Sequence, residues 1–172
     1  MKKLLALIAI VAVLGMVVTS LVIAQAKPTF VGPEKGCKMC HKAQFESWSA
    51  TPHAKAWNSL KPEEQAKAEC VGCHQTGAMA DGTMITSVTC EACHGAGSDY
   101  KKPAIMSKKA YTDKAAGRKA SVAAGLVIPT AATCTASCHK AEGNPNFKPF
   151  DFEKSKGLVH PVKAAVEAAP KG

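Results

Sequence analysis

Residues 37–57 read CKMCHKAQFESWSATPHAKAW. Two cysteines stand three apart, and a histidine follows the second at once. Cysteines at i and i+3 project from one side of a helical turn, and a histidine at i+4 from the first lies on the same face. Such a turn can hold a porphyrin. The thiols reach the vinyl groups on one edge, and the imidazole ligates the iron from below. Cys-x-x-Cys-His is the attachment signature of c-type haem. The same unit recurs along the chain, as Cys37/Cys40/His41, Cys70/Cys73/His74 and Cys90/Cys93/His94. A fourth, CTASCH, with Cys134, Cys138 and His139, carries one extra residue between its cysteines, which a local bulge must absorb.

These units use all eight cysteines. Disulfides are the default for an exported cysteine-rich chain. Zinc also takes paired cysteine and histidine. Neither explains a histidine placed at once after every second thiol. The spacing therefore implies four covalently bound haem c groups, each with its iron.

Export is read from the first residues. Lys2 and Lys3 precede an almost wholly apolar run over residues 4–18, and Ala24-Gln25-Ala26 is a small-x-small cleavage site, so residues 1–26 form a signal peptide. The alternative is an uncleaved anchor, because the uncharged run is long enough to span a bilayer. Either way the remainder lies outside the cytoplasm, periplasmic or extracellular, with no membrane association once the signal is cleaved. Residues 27–165 form the haem-binding domain and 166–172 a flexible tail. Aromatic residues make up only 5% of the chain. A chain this poor in bulky side chains cannot build much core from protein alone. The expected fold is mainly α with low secondary-structure content, the four haems forming the core.

Local signals sketch the wrapping. Residues 30–36, FVGPEKG, read as an extended entry with a turn. HKAQFESWSA is helical, with Phe45 and Trp48 on one face, and Pro52 breaks it. A second helical stretch starts at His53 and runs to Leu60. Pro62 opens a short helix into the second motif. TMITSVT suits a short strand, and residues 94–103 a loop. An alanine- and lysine-rich helix is expected over residues 107–124, capped by Ser107 and weakened at Gly117. Asp151 caps a last helix that ends at Pro161.

Six histidines less four proximal ones leave His53 and His160 as candidate distal iron ligands. The stretches CKMCHKAQFESWSATPHAKAWNSLKPE, CVGCHQTG, VTCEACHGAGSDY and NPNFKPFDFEKSKGLVHP resemble the tetrahaem cytochrome c-554 family, whose haem packing recurs in hydroxylamine oxidoreductase. The resemblance implies a multihaem cytochrome c relaying electrons between redox partner proteins. It implies that His53 is the sixth ligand of the third haem, held by His94, and His160 that of the fourth, held by His139. It leaves the second haem, held by His74, without a distal protein ligand. Phe147, Pro149 and Phe150 would lie over that haem as an apolar lid, and nitric oxide or carbon monoxide is the small ligand expected there. The family's first haem takes a histidine from the segment after the third motif. Here that segment, GSDYKKPAIMSKKAY, has none. Met106 is the best substitute, with Lys101, Lys102 or an empty position as alternatives, and Met79 and Met84 lie after the second motif with nothing to fix their direction.

The formal net charge of +9 is largely offset by haem propionates, so nucleic acid is not an implied partner. Lys101, Lys102, Lys108, Lys109, Lys114, Arg118 and Lys119 form either a docking face for an acidic redox protein or a solvated helix face. Two further functions compete with an electron relay. An open haem could act on nitric oxide, nitrite or hydroxylamine, or the chain could be a subunit of an extracellular cytochrome filament.

Overall fold

Proline and short capping residues decide where the elements begin. The structure is a computed structural model and describes residues 27–161, so the expected signal peptide, the expected tail and residues 162–165 of the expected domain lie outside the described residues. Pro33 occupies the first turn of α1 (Pro33–Gly36), where its missing N–H costs nothing. The entry segment is thus helical over its second half rather than extended. The chain continues through the first motif into α2 (Lys42–Ser49), whose Phe45 and Trp48 rings pack with centroids 5.4 Å apart. After Pro52 the backbone makes two tight 3₁₀ turns, His53–Lys55 and Trp57–Ser59, in place of a continuous helix.

Residues 62–66 form turns, and α3 (Ala68–His74) starts only at Ala68, so the second motif lies inside the helix. Two short strands follow, β1 (Gln75–Ala78) and β2 (Met84–Thr86), paired antiparallel with an irregular register between Gln75 and Gly77. β2 falls in the TMITSVT segment; β1 was not expected, because its sequence is rich in turn formers. α4 (Cys90–His94) carries the third motif, and α5 (Pro103–Met106) again opens on proline.

The alanine- and lysine-rich helix is shorter than its composition suggests. α6 (Lys114–Ala123) is capped by Asp113, whose side chain accepts from the N–H groups of Ala115 and Ala116. Ser107 instead closes a separate turn, accepting from Ala110 N–H at 3.1 Å. Gly117 does not weaken α6 so much as let Tyr111 lie against it. A Cβ there would stand 2.9 Å from Tyr111 Cγ and 3.0 Å from the Ala110 carbonyl oxygen. Gly117→Ala is therefore expected to lower the melting temperature, because overpacking costs about 1–3 kcal/mol and the backbone oxygen cannot swing away. An unchanged or higher melting temperature would show that Tyr111 moves aside.

α7 (Ala131–Thr135) leads into the fourth motif behind a Thr130/Thr133 capping box. Asp151 caps α8 (Phe152–Ser155) through the Lys154 N–H, and a 3₁₀ turn, Lys156–Leu158, completes it. No helix among the described residues is long and apolar enough to cross a membrane. Among the described residues the polypeptide buries little apolar surface of its own: Ile85 and Tyr100 are the buried hydrophobic side chains, while Met39, Leu158 and Val122 are exposed. Short helices and turns carry the four motifs, and long-range ties between turns hold them in place.

Candidate haem sites

Each motif presents its thiols and imidazole from one turn. In the first, His41 N–H donates to the Cys37 carbonyl at 2.9 Å, an i to i−4 bond. In the fourth, His139 N–H donates to the Cys134 carbonyl at 3.0 Å, an i to i−5 bond. The inserted residue of CTASCH is taken up as a single wide turn of π type, and the histidine still follows its cysteine at once. All eight thiols are free, none in a disulfide.

Cys40 departs from the expected picture of attachment thiols turned towards an interior cofactor. The other seven cysteines are partly covered, whereas Cys40 is exposed, and His41 beside it is exposed as well. Two features set this, a local turn and a distant neighbour. Residues 37–40 form a turn, tightened where Cys40 N–H donates to the Cys37 carbonyl at 3.2 Å, and α2 begins only after it. Cys37, at the start of the turn, is drawn in against Cys90, and Cys40 at its far end is carried to the surface. The polypeptide itself therefore does not enclose Cys40, and its place as a haem attachment point rests on the spacing of the motif.

The imidazoles are set for metal. His74 Nδ1 donates to the Ala56 carbonyl at 2.7 Å. His94 Nδ1 donates to the Val127 carbonyl at 3.1 Å, while Val127 N–H returns a bond to the His94 carbonyl at 2.9 Å. Donation from Nδ1 leaves Nε2 as the free lone pair and fixes the ring's direction. Burial pushes His53, His94 and His139 down from the ordinary histidine range, for His53 with the help of the nearby His139 ring. Each is thereby kept neutral, the form that ligates.

The rings meet in pairs. His53 faces His139 with centroids 6.1 Å apart and planes crossed at 77°. His94 faces His160, which is itself exposed, with centroids 6.5 Å apart and planes at 19°. An imidazole nitrogen ligates a first-row metal at about 2 Å, so two rings on opposite sides of one ion have centroids roughly 6 Å apart. Both pairs have that spacing. Among the described residues no group of three or more histidine, cysteine or acidic side chains converges as zinc would require. The donor sets thus fit four haems, held by Cys37/Cys40, Cys70/Cys73, Cys90/Cys93 and Cys134/Cys138.

These pairs reverse the expected partners. His53 lies against the fourth motif, not the third, and His160 against the third, not the fourth. The cause is non-local. Val88 N–H donates to the His53 carbonyl at 3.1 Å, and Trp48 Nε1 donates to the Val88 carbonyl at 2.9 Å, so the His53 turn hangs from the segment between β2 and α4. Ser87, buried and at a φ of 74°, donates its N–H to the His74 carbonyl at 3.1 Å and so ties the second motif to the same segment. A left-handed serine is costly and persists only where its surroundings demand it. Nothing in the sequence marks Ser87 for this task.

Phe150 stacks on the His139 ring, 4.3 Å between centroids at 25°, so it belongs to the fourth motif rather than to a lid over His74. Phe147 is 38% exposed. Lys102 pairs with Asp99 at 2.7 Å. Met106 ends α5, half-buried, and Met79 and Met84 flank the turn between the strands.

The motifs also touch one another. The Cys37 and Cys90 thiols are neighbours, as are those of Cys73 and Cys138, and Cys93 lies near Cys134 and Cys138. Burial, with Cys73 beside it, pushes the free Cys138 thiol up to about 11. In space the motifs run first, third, fourth, second. A shallow cavity of about 340 Å³ lined by Cys73, Ser137, Lys140 and Asn144 lies where the second and fourth meet.

A family model described as cytochrome c554 and c-prime matches residues 36–95. The chain is similar to the structure of the reduced state of cytochrome c554 from Nitrosomonas europaea, with a TM-score of 0.53 and 32% identity, covering 81% of this chain and 84% of that one. The chain belongs to the cytochrome c-554 family. It is also 35% identical over 147 residues to the curated cytochrome c-554 of Nitrosomonas europaea, a match covering 70% of this chain and 62% of that protein's length. As a cytochrome c-554 family member it is a c-type cytochrome whose eight cysteines serve four haems. The scant apolar core follows from this, since family membership implies that haems fill the interior.

Proposed function

We propose that this cytochrome relays electrons between redox partner proteins in the periplasm or outside the cell. The observation that carries the reading is the unbroken row of motifs, with neighbouring thiols at Cys37/Cys90, Cys93/Cys134 and Cys73/Cys138. Bound haem supplies a one-electron ferric/ferrous couple at each station. The chain's own part is to hold those stations close and to set their potentials through axial ligands, hydrogen bonds and burial.

In this reading His41, His74, His94 and His139 are the proximal ligands. The first haem, on exposed Cys40 and His41, is the station nearest to solvent and to a docked partner. His53 is the distal ligand at the fourth motif and His160 at the third, supported by the ring spacings of 6.1 and 6.5 Å. All six histidines are then used, which leaves no imidazole for the distal sides of the first and second haems. Residues 1–26 are a cleaved export signal, and residues 27–165 are the haem-binding domain. The exposed Lys101, Lys108, Lys109, Lys114, Arg118 and Lys119 form a docking face for an acidic redox partner.

Mass spectrometry of the exported holoprotein tests the foundation. Four haems should be added to the peptide from residue 27, and a mass with three would mean that CTASCH attaches none. Alkylation of Cys40 in the same sample would show that this exposed thiol is unlinked. The relay itself is tested by mixing reduced holoprotein with an exported acidic acceptor cytochrome. Electron transfer should be fast at low salt and fall steeply as ionic strength rises. The open haem at His74 favours one rival, an enzyme of small nitrogen oxides. Sustained turnover of nitric oxide or hydroxylamine, with slow transfer to protein acceptors, would favour it over the relay.

A further inference from the structure

Glu91 is only 2% exposed, although it stands between the thiols of the third motif. Its Oε1 accepts N–H from Val31 at 3.0 Å and from Gly97 at 2.7 Å. Its Oε2 accepts N–H from Val31 at 3.1 Å and from Gly32 at 2.8 Å. Every one of these partners is a backbone donor, and none could accept a carboxyl proton. Four N–H bonds onto its two oxygens match a carboxylate, which only accepts. The side of the nest formed by Gly97 is tight, since a Cβ there would come within 3.0 Å of Glu91 Oε1 and 3.5 Å of the Tyr100 hydroxyl. A buried charge is expensive even when hydrogen-bonded. A neutral contact would have joined these segments at lower cost.

The charge sits at a junction. Cys90 is its neighbour in the chain, and the Cys90 thiol lies beside that of Cys37. Val31 and Gly32, which the carboxylate grips, run straight into α1 and Cys37. Glu91 therefore lies beside the attachment points of the first and third haems together. The second and fourth meet elsewhere, at Cys73 and Cys138. As a free thiol Cys37 is pushed up by its bond to Cys90, by burial, and by the charges of Cys90 and Glu91, so the carboxylate's field reaches both attachment points.

We propose that Glu91 is a fixed negative charge that lowers the reduction potentials of the first and third haems below those of the second and fourth. The inference rests on the four-haem reading above. Ferric haem carries one more positive charge than ferrous haem, and an anion close by in a poorly screened interior favours the more positive state. Electrons entering at the first or third station would then settle on the fourth and second, giving the row a direction. Glu91 is a positioning and tuning residue; it touches no iron.

The test is a redox titration of the holoprotein followed by optical and electron paramagnetic resonance spectra, with two variants. Glu91→Gln removes the charge, and Glu91→Asp keeps it while shortening the reach to the backbone donors. Both should lower the melting temperature. Only Glu91→Gln should raise the potentials of the first and third haems, leaving the other two near their wild-type values. Unchanged potentials in Glu91→Gln, or an equal rise in Glu91→Asp, would overturn the proposal. Should Glu91→Gln not load its haems, the wild type decides. The resonance of the near-parallel imidazole pair, His94/His160, should disappear on reduction at a lower potential than that of the crossed pair, His53/His139. The reverse order would overturn it. A wild-type mass short of four haems would instead remove the reading beneath it, and the proposal with it.

Discussion

Replacing His53 with alanine converts the ferric haem of the fourth motif from low-spin to high-spin and leaves the third low-spin. Imidazole is a strong-field donor, and its loss leaves His139 as the sole protein ligand on that iron. The expected change is one haem out of the four, seen as a new high-spin band and a rise in one potential, because a donor that favours ferric iron is gone. The two ring pairs give the assignment a fingerprint. Planes crossed at 77° leave the iron's two π orbitals nearly degenerate, and the low-spin signal is strongly anisotropic; planes at 19° give an ordinary rhombic signal. His53→Ala should erase the anisotropic signal. His160→Ala should erase the rhombic one. If His53→Ala removed the rhombic signal instead, the partners would be those implied by family resemblance rather than those in the structure.

The second large effect is carbon monoxide binding. The reduced protein should take it up at the haem of His74, because both imidazoles outside the motifs pair with other rings, His53 with His139 and His160 with His94. The His74 ring is held from behind by its 2.7 Å bond to the Ala56 carbonyl, which keeps a single strong proximal ligand in place. A distal side without a protein ligand would admit a neutral diatomic. Without the Phe150 lid, which packs on His139, the face is less shielded from water than an apolar cover would make it. A water-bound ferric form is therefore expected, displaced on reduction and addition of carbon monoxide. A second equivalent bound at the first haem would show that neither Met106 nor Lys101 closes it. Four low-spin haems and no carbon monoxide binding would end both the open site and the enzyme rival.

Each haem motif is legible in the sequence because it is local. Two thiols and an imidazole within one turn answer to helical geometry alone, and even the extra residue of CTASCH could be read as a bulge that one wide turn absorbs. Which thiol ends up covered is not local: Cys37 meets Cys90 from another segment, while Cys40, three residues on, stays at the surface. The scarcity of aromatic residues likewise pointed to a chain that wraps rather than fills. Helix ends that depend on a single capping residue were partly legible. Asp151 caps where expected, whereas Asp113 takes the role assigned to Ser107, since two acceptors near one helix start compete and packing of Tyr111 on Gly117 decides between them.

The partners of the distal histidines were not legible. His53 lies 12 residues beyond His41 and His160 lies 21 beyond His139, and no local spacing says which iron each ring faces. That depends on Val88 holding the His53 turn, on Ser87 accepting a left-handed backbone, and on the last helix crossing to the third motif. Glu91 was hidden for the same reason. In the sequence it is one of two unspecified letters between a pair of cysteines, and only folding brings the backbone donors of Val31, Gly32 and Gly97 around it. The sequence by itself determined the number of haem motifs and which thiols and imidazole belong to each, because a motif needs only neighbours along the chain. Which imidazoles face one another, and which backbone donors surround Glu91, was decided by tertiary structure, because those contacts join segments that meet only when the whole chain has closed.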